Sequence, residues 1–285
     1  DWLQQGQSHD AVLVTNKKNN YQMDFGAALN NNNEALYESA YVTNYKNMQF
    51  IWFNQKFSKL SLSFLALNNG YQYENLTENK FQVAYLQTIG TYGKWDASKF
   101  YGDFGLYAQT GEAAVTNDKV DAGAYYAGFN LGYKFTVPFK AELGFEYLSG
   151  KDQNDTDTKV KSFTPLFGTN HGFNGLMDYF YVGNHKNSVG LQDVYTKFIY
   201  DKNKWQVTLS PHLFYSSASV YNMTTLEEQD NYLGTEIDVT VSYKVDKNFV
   251  ITGGVSKMCS SDTMEVLKGG NNSNSNNWAW VMVSF

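Results

Sequence analysis

The chain has 285 residues, a net charge of −6, 42% hydrophobic and 17% aromatic residues, and only 3 Pro and 1 Cys. A disordered chain would not carry 22 Tyr, 20 Phe and 6 Trp, and the lone Cys259 can form neither an internal disulfide framework nor a cysteine-rich zinc site. No run approaches the ~18 consecutive apolar residues of a membrane helix, yet the mean hydropathy of −0.46 suits a protein that spans a membrane as strands, where apolar and polar positions alternate.

Taken in chain order, a period of two dominates. Tyr21 to Leu29 alternates. From Lys80 onward, Phe81, Val83, Tyr85 and Ile89 fall on one side while Lys80, Gln82, Ala84 and Thr88 fall on the other, which predicts a strand with one greasy face. Ser98 to Gln109, Val120 to Phe135, Phe139 to Leu148, Leu191 to Tyr200, Lys204 to Tyr215 and Asn248 to Lys257 read the same way. The segment from Leu233 is sharpest: Leu233, Thr235, Ile237, Val239, Val241 and Tyr243 alternate with Glu236, Asp238, Thr240, Ser242 and Lys244. A helix would mix these charges and aliphatics on one stripe.

Connections sort by length. Short ones are predicted at Lys17 to Asn20, Phe57 to Lys59, Tyr92 to Asp96, Phe135 to Pro138, Asp201 to Lys204 and Asp246 to Asn248. Long ones lie between them, at Asn30 to Asn47, Asn68 to Asn79, Gly111 to Lys119, Gly150 to Val189, Ala218 to Asn231 and Ser260 to Asn276. That alternation predicts a transmembrane antiparallel up-and-down β-barrel, all-β, with short periplasmic turns on one rim and long external loops on the other. Residues 1–285 form one barrel domain, whose loop over residues 150–189 is external or folded inward. One strand per interval gives about 13, and because bacterial single-chain barrels have even counts the odd total predicts further strands ahead of Asp1. Rings near strand ends on the greasy face, among them Tyr21, Phe25, Phe100, Phe104, Phe145, Tyr147, Trp205 and Tyr215, predict two belts at the level of the lipid headgroups.

The opposite face carries charge and needs water. Alternation assigns Asp24, Asp103, Glu142, Glu146, Asp193, Glu236 and Asp238 to the lumen, against Lys134, Lys197 and Lys244. All 22 basic residues are Lys and there is no basic cluster, which excludes nucleic acid as a partner. On this reading Val239→Lys harms insertion into lipid, whereas Asp238→Lys is tolerated and changes ion preference.

The longest connection divides in two. Its first part offers Asp152, Asp155 and Asp157 but lacks the mid-loop Gly and terminal Glu of a calcium-binding EF-hand, so a solvated acidic loop is the better reading. Its second part is too apolar for a free external loop, which predicts that Phe163, Phe167, His171, Phe173, Asp178, Tyr179 and Phe180 pack into or over the barrel mouth as a constriction or lid. The spacing of His171, Asp178 and His185 matches no metal or catalytic pattern, and neither a G-x-S-x-G elbow nor a P-loop occurs. No enzyme activity, cofactor or metal is therefore expected.

At FTPLFGTNHGFNGLMDYFY (163–181), VGLQDVYTKF (189–198) and WLQQGQSHDAVLV (2–14) the chain resembles the alginate-export family of outer-membrane barrels, particularly forms from Bacteroidetes-like bacteria. The H-G-F-N-G-x-M-D-Y-F stretch is the most specific part. The resemblance implies an 18-stranded barrel, so that about five strands would precede Asp1, and a closing strand, NWAWVMVSF, whose terminal Phe285 is read by the barrel-assembly machinery. It also implies a bacterial outer-membrane location, with lipid as the surrounding partner. The family's exporter conducts an anionic polysaccharide through an Arg-rich pore, and this chain has no Arg. An acidic wall instead favours neutral or cationic solutes. The expected function is a passive channel for small polar or saccharide-like solutes. The alternative is an occluded barrel that docks an envelope protein through its aromatic loop.

Overall fold

The computed structural model describes residues 9–30, 45–136, 138–168, 174–274 and 276–285. Thirteen strands form one sheet in chain order: β1 (Ala11–Lys18), β2 (Tyr21–Leu29), β3 (Asn47–Lys56), β4 (Leu60–Asn75), β5 (Lys80–Ala97), β6 (Phe100–Val115), β7 (Asp118–Lys134), β8 (Phe139–Leu148), β9 (Leu191–Lys202), β10 (Trp205–Tyr215), β11 (Tyr232–Lys244), β12 (Val250–Ser260) and β13 (Asn276–Ser284). Every neighbouring pair is antiparallel, and among the described residues no ladder joins β1 to β13. The sheet nevertheless curls, because one loop touches both of its halves. Leu166 and Phe167 pack against Ala28, Met48 and Leu67 of β2 to β4, while Met177 and Phe180 of the same loop pack in a cluster with Leu233 and Met258 of β11 and β12. The architecture is thus an all-β, up-and-down open barrel wrapped round its own longest loop.

Register follows the hydrophobic pattern. Along β10 and β11, Leu209 opposes Val239 and Pro211 opposes Ile237 on the outer face, while Ser210 opposes Asp238 and His212 opposes Glu236 on the inner one. A slip by one residue would turn both carboxylates toward the outside, so the apolar set fixes the pairing. Pro211 lacks an N–H, and the ladder from β10 to β9 has no registered partner at Ser210 or Pro211.

Four sequence expectations are corrected. The short connection read at Tyr92 to Asp96 is strand, because β5 stays paired with β6 out to Ala97 opposite Phe100 and the turn falls at Ser98 and Lys99. The stretches read as long connections at Asn68 to Asn79 and Gly111 to Lys119 are mostly strand: β4 and β5 stay paired out to Asn75 opposite Lys80, and β6 and β7 out to Val115 opposite Asp118. Polar residues on both faces made these extensions look like loop, but cross-strand bonds such as that from the Tyr73 hydroxyl to Gln82 (2.6 Å) hold them as hairpins. Leu233 does not share the outer face of Ile237. Gly234 sits at φ +147° in a β-bulge that shifts the β10–β11 register at Phe214 and Tyr215, turning Leu233 into the interior with no exposed surface. Finally, the connection after β12 contains a helix, α1 (Asp262–Lys268). Its Ser261 cap accepts the Met264 N–H (3.2 Å), and its Met264 packs into the internal cluster.

Rings gather at two levels on the outer face. Near the short turns are the cross-strand contacts Phe100 with Tyr133 (4.9 Å), Phe139 with Tyr200 (5.2 Å) and Trp205 with Tyr243 (4.6 Å), and Tyr133 also meets Phe135 two residues along the chain (4.8 Å). Toward the loops are Tyr125 with Tyr147 (5.5 Å) and Tyr215 with Tyr232 (5.4 Å). Between these levels the outer face is aliphatic and aromatic, with Leu106, Phe129, Leu143, Phe198, Leu209, Ile237 and Val255 exposed.

Candidate functional site

The loop after β8 enters the barrel along β6 and β7. Gln109 of β6 clasps Thr164, accepting its N–H (3.0 Å) and donating to its carbonyl (2.8 Å), and Phe163 lies 5.6 Å from the Tyr126 ring. Further along, Asn174 and Gly175 adopt left-handed backbone (φ +57° and +85°), turning two consecutive amides toward β11. Both the Leu176 and Met177 N–H groups donate to Glu236 Oε1, at 2.6 and 2.9 Å. A Cβ on Gly175 would stand 2.6 Å from that same oxygen, so the approach requires glycine. The Asn174 amide donates to Glu146 Oε2 (3.0 Å) and Asp193 Oδ2 (3.2 Å), tying the loop to β8 and β9 as well.

Behind these anchors lies a polar cluster. His212 Nδ1 is 3.0 Å from both oxygens of Asp193, its Nε2 is 3.9 Å from Asp238 Oδ2, and its ring stacks on Tyr195. Phe180 continues the loop onto Phe214 (4.7 Å), and its carbonyl accepts from His185 Nε2 (3.2 Å). Burial holds the His185 imidazole down to a pKa of about 4, with Lys268 adding to the effect. Nearer the surface, Lys161 hydrogen-bonds Asp155 (2.6 Å) and pairs with Asp157 (3.2 Å), and with local backbone N–H groups it keeps both carboxyls below the ordinary carboxylate range.

Nearer the short turns the inner face changes character. The Tyr101 hydroxyl donates to Glu142 (2.8 Å), Lys134 bonds both oxygens of Asp96 (2.8 and 2.7 Å), and Lys197 lies over the Tyr195 ring at 5.2 Å. Between this band and the loop is a cavity of about 380 Å³.

Of the residues assigned to the lumen by alternation, Asp24 is bonded by Gln22 (2.8 Å) and Lys244 is exposed beside the short turns. The assignment of three of them to a water-filled wall is corrected. Asp193, Glu236 and Asp238 are at most 2% exposed, whereas Glu146, bonded by Asn174, stays partly exposed on the cavity wall. Asp238→Lys would therefore put an ammonium against His212 in a closed site instead of being tolerated. Of the loop residues, Phe163 and Phe180 are buried, and Phe167 packs on Tyr45 (5.7 Å). Asp178 (φ +60°) and Tyr179 are partly covered, and His171 and Phe173 lie outside the described residues. His212 is a site residue that the sequence reading passed over, although its place on the polar face of β10 marks it. Also passed over were the inward tyrosines Tyr92, Tyr107, Tyr126 and Tyr195, which alternation alone treats as ordinary strand residues.

No protein-family model matches the chain and no curated protein matches it, so the resemblance to alginate exporters gains no support there. Among solved structures it is similar to the NanC porin in a rhombohedral crystal form, at 10% identity over 84% of this chain and 92% of that one, with a TM-score of 0.40. It is also similar to the copper transporter OprC, at 10% identity over 86% of this chain and 39% of that one, with a TM-score of 0.41. Likenesses at these scores carry no weight for function, and the class rests on the sheet itself: an antiparallel up-and-down β-barrel architecture of thirteen strands.

Proposed function

We propose that this protein is a channel of the bacterial outer membrane, through which small polar or saccharide-like solutes pass passively along a lumen narrowed by the loop from Phe163 to Tyr181. The observation that carries the reading is the loop's attachment to the inner wall, where one Glu236 oxygen accepts two loop amides while the other side of the same strand exposes Ile237 and Val241. A sheet apolar outside and charged inside fits lipid on one face and water on the other. The two ring levels support this: Phe139 and Tyr147 of β8 are about 26 Å apart along the strand at ~3.3 Å per residue, close to the height of an apolar membrane band.

Planar-bilayer conductance tests the reading. Gly175→Ala strains a left-handed residue and drives a methyl into Glu236, so it should loosen the constriction and raise single-channel conductance several-fold. A silent bilayer for both wild type and variant would end the channel reading. The burial of Asp193, Glu236 and Asp238 favours one competitor, a barrel occluded at the level of the loop that docks an envelope protein. Silence in the bilayer together with a stoichiometric co-purifying partner would establish that alternative.

A further inference from the structure

The cavity beneath the loop has a composition that the channel reading does not use. Its wall presents four tyrosines, Tyr92, Tyr107, Tyr126 and Tyr195, with the carboxylates Asp103 and Glu146, and no lysine lines it. Three of these tyrosines owe their posture to glycine. A Cβ on Gly90 would lie 2.1 Å from the Tyr107 ring, one on Gly128 2.3 Å from the Tyr126 hydroxyl, and one on Gly144 2.0 Å from the Tyr195 ring. These rings therefore lie flat over strand backbone and turn a face, instead of an edge, to the lumen. A ring face is the negative end of the aromatic quadrupole and attracts cations.

Hydrogen-bonding capacity points the same way. Asn130 lines the cavity with a buried side-chain oxygen that has no partner, and Asp103 and Glu146 add their carboxyl oxygens. The imidazole nearest the cavity, His185, is held neutral. Two lysines stand close by, Lys94 opposite Asp103 and Lys197 over Tyr195, but Glu142 and Asp193 offset them, leaving the surroundings acidic. An acceptor-rich chamber with aromatic faces selects a ligand that brings positive charge and carbon–hydrogen surface. A neutral sugar would meet the faces but not the charge, and a carboxylate would be repelled.

We propose that this cavity is a binding subsite for a small organic ammonium compound. The proposal deepens the channel reading, and it rests on that reading only in requiring a water-accessible lumen.

Isothermal titration of the detergent-solubilised full chain tests it, with choline chloride, glucose and sodium acetate as separate probes. Choline should give a saturable heat, with none from glucose or acetate. Asp103→Asn and Tyr92→Leu should each weaken choline about tenfold, in the range of a desolvated cation–π contact or a lost charge pair. Tyr92→Phe keeps the ring and should stay within about twofold. Neither position holds the loop, and folding of each variant is checked by its heat-dependent gel mobility. Absence of choline heat, equal binding of glucose, or an unchanged affinity in folded Asp103→Asn would overturn the subsite. The readout is independent of conductance: a conducting barrel that ignores choline loses the subsite and keeps the channel, whereas choline binding by a silent barrel does the reverse.

Discussion

The loop-side and turn-side halves of the barrel interior share strands, alternation and side-chain chemistry, yet one is dry and the other carries solvated charge. Toward the loops, Glu236 and Asp193 are sealed beneath Asn174, Leu176 and Met177. Toward the turns, Lys134 and Asp96 form an ion pair with 35% and 62% of their side-chain surface still exposed. The difference teaches that alternation chooses the face of a side chain, while water at that face is decided by whatever else the chain folds into the space. Buried carboxyl groups are stabilised where their oxygens find donors, and in the first half the loop supplies donors to Glu236 Oε1 and Asp193 Oδ2.

The largest expected effect comes from breaking that contact. Glu236→Ala leaves two loop amides without an acceptor, a loss of about 2 to 6 kcal/mol in loop docking at about 1 to 3 kcal/mol for each unsatisfied group. Limited proteolysis in detergent should show cleavage within residues 163–181 that wild type resists. Equal resistance would mean the loop is held by its apolar contacts alone. Next, Val239→Lys on the outer face should cost about 2 to 4 kcal/mol at mid-bilayer and reduce folded protein in membranes. Asp238→Lys, one residue away, should instead leave insertion intact and release the loop. If both substitutions act alike, the register of β11 is wrong by one.

Acid should also separate the halves. His185 is neutral when the loop is docked and titrates at about 4, below the ordinary 6.5. Above pH 6.5 both docked and undocked forms are neutral, so docking is at full strength. As pH falls from 6.5 toward 4 only the undocked imidazole gains a proton, and docking weakens by a total on the order of 3 kcal/mol. At pH 5 that is about a 30-fold rise in loop opening, readable as faster proteolysis, and His185→Gln should flatten the profile. The smallest effect belongs to the turn-side half. Lys134→Ala breaks an exposed ion pair and should change stability by less than about 1 kcal/mol, shifting cation preference slightly in a reversal-potential measurement.

Much of this architecture is legible in the residues. Ile237, Val239 and Val241 against Glu236, Asp238 and Ser242 state the period, the faces and the register of β11, and Asn19 and Asn203, both with positive φ, mark short turns. Where reading failed, a local signal was outweighed by a distant one. Leu233 continues the outer-face pattern, but Gly234 opens a bulge that sends it inward. Tyr71 and Tyr73 sit among Asn and Gln, whose low strand preference hides an extended hairpin that pairing across β4 and β5 sustains. The Asp262 start, Lys268 end and Gly269 stop of α1 are local helix signals, and only their shortness conceals them.

Sequence by itself determined which side of each strand is greasy, because a side-chain period of two depends on nothing beyond the neighbouring residues. Tertiary structure decided that Asp193, His212 and Glu236 form one closed cluster, since they come from three strands and are covered by a distant loop. No periodicity along the chain encodes which carboxylate a loop amide will reach. That choice belongs to the curl of the sheet and to the left-handed turn at Asn174 and Gly175.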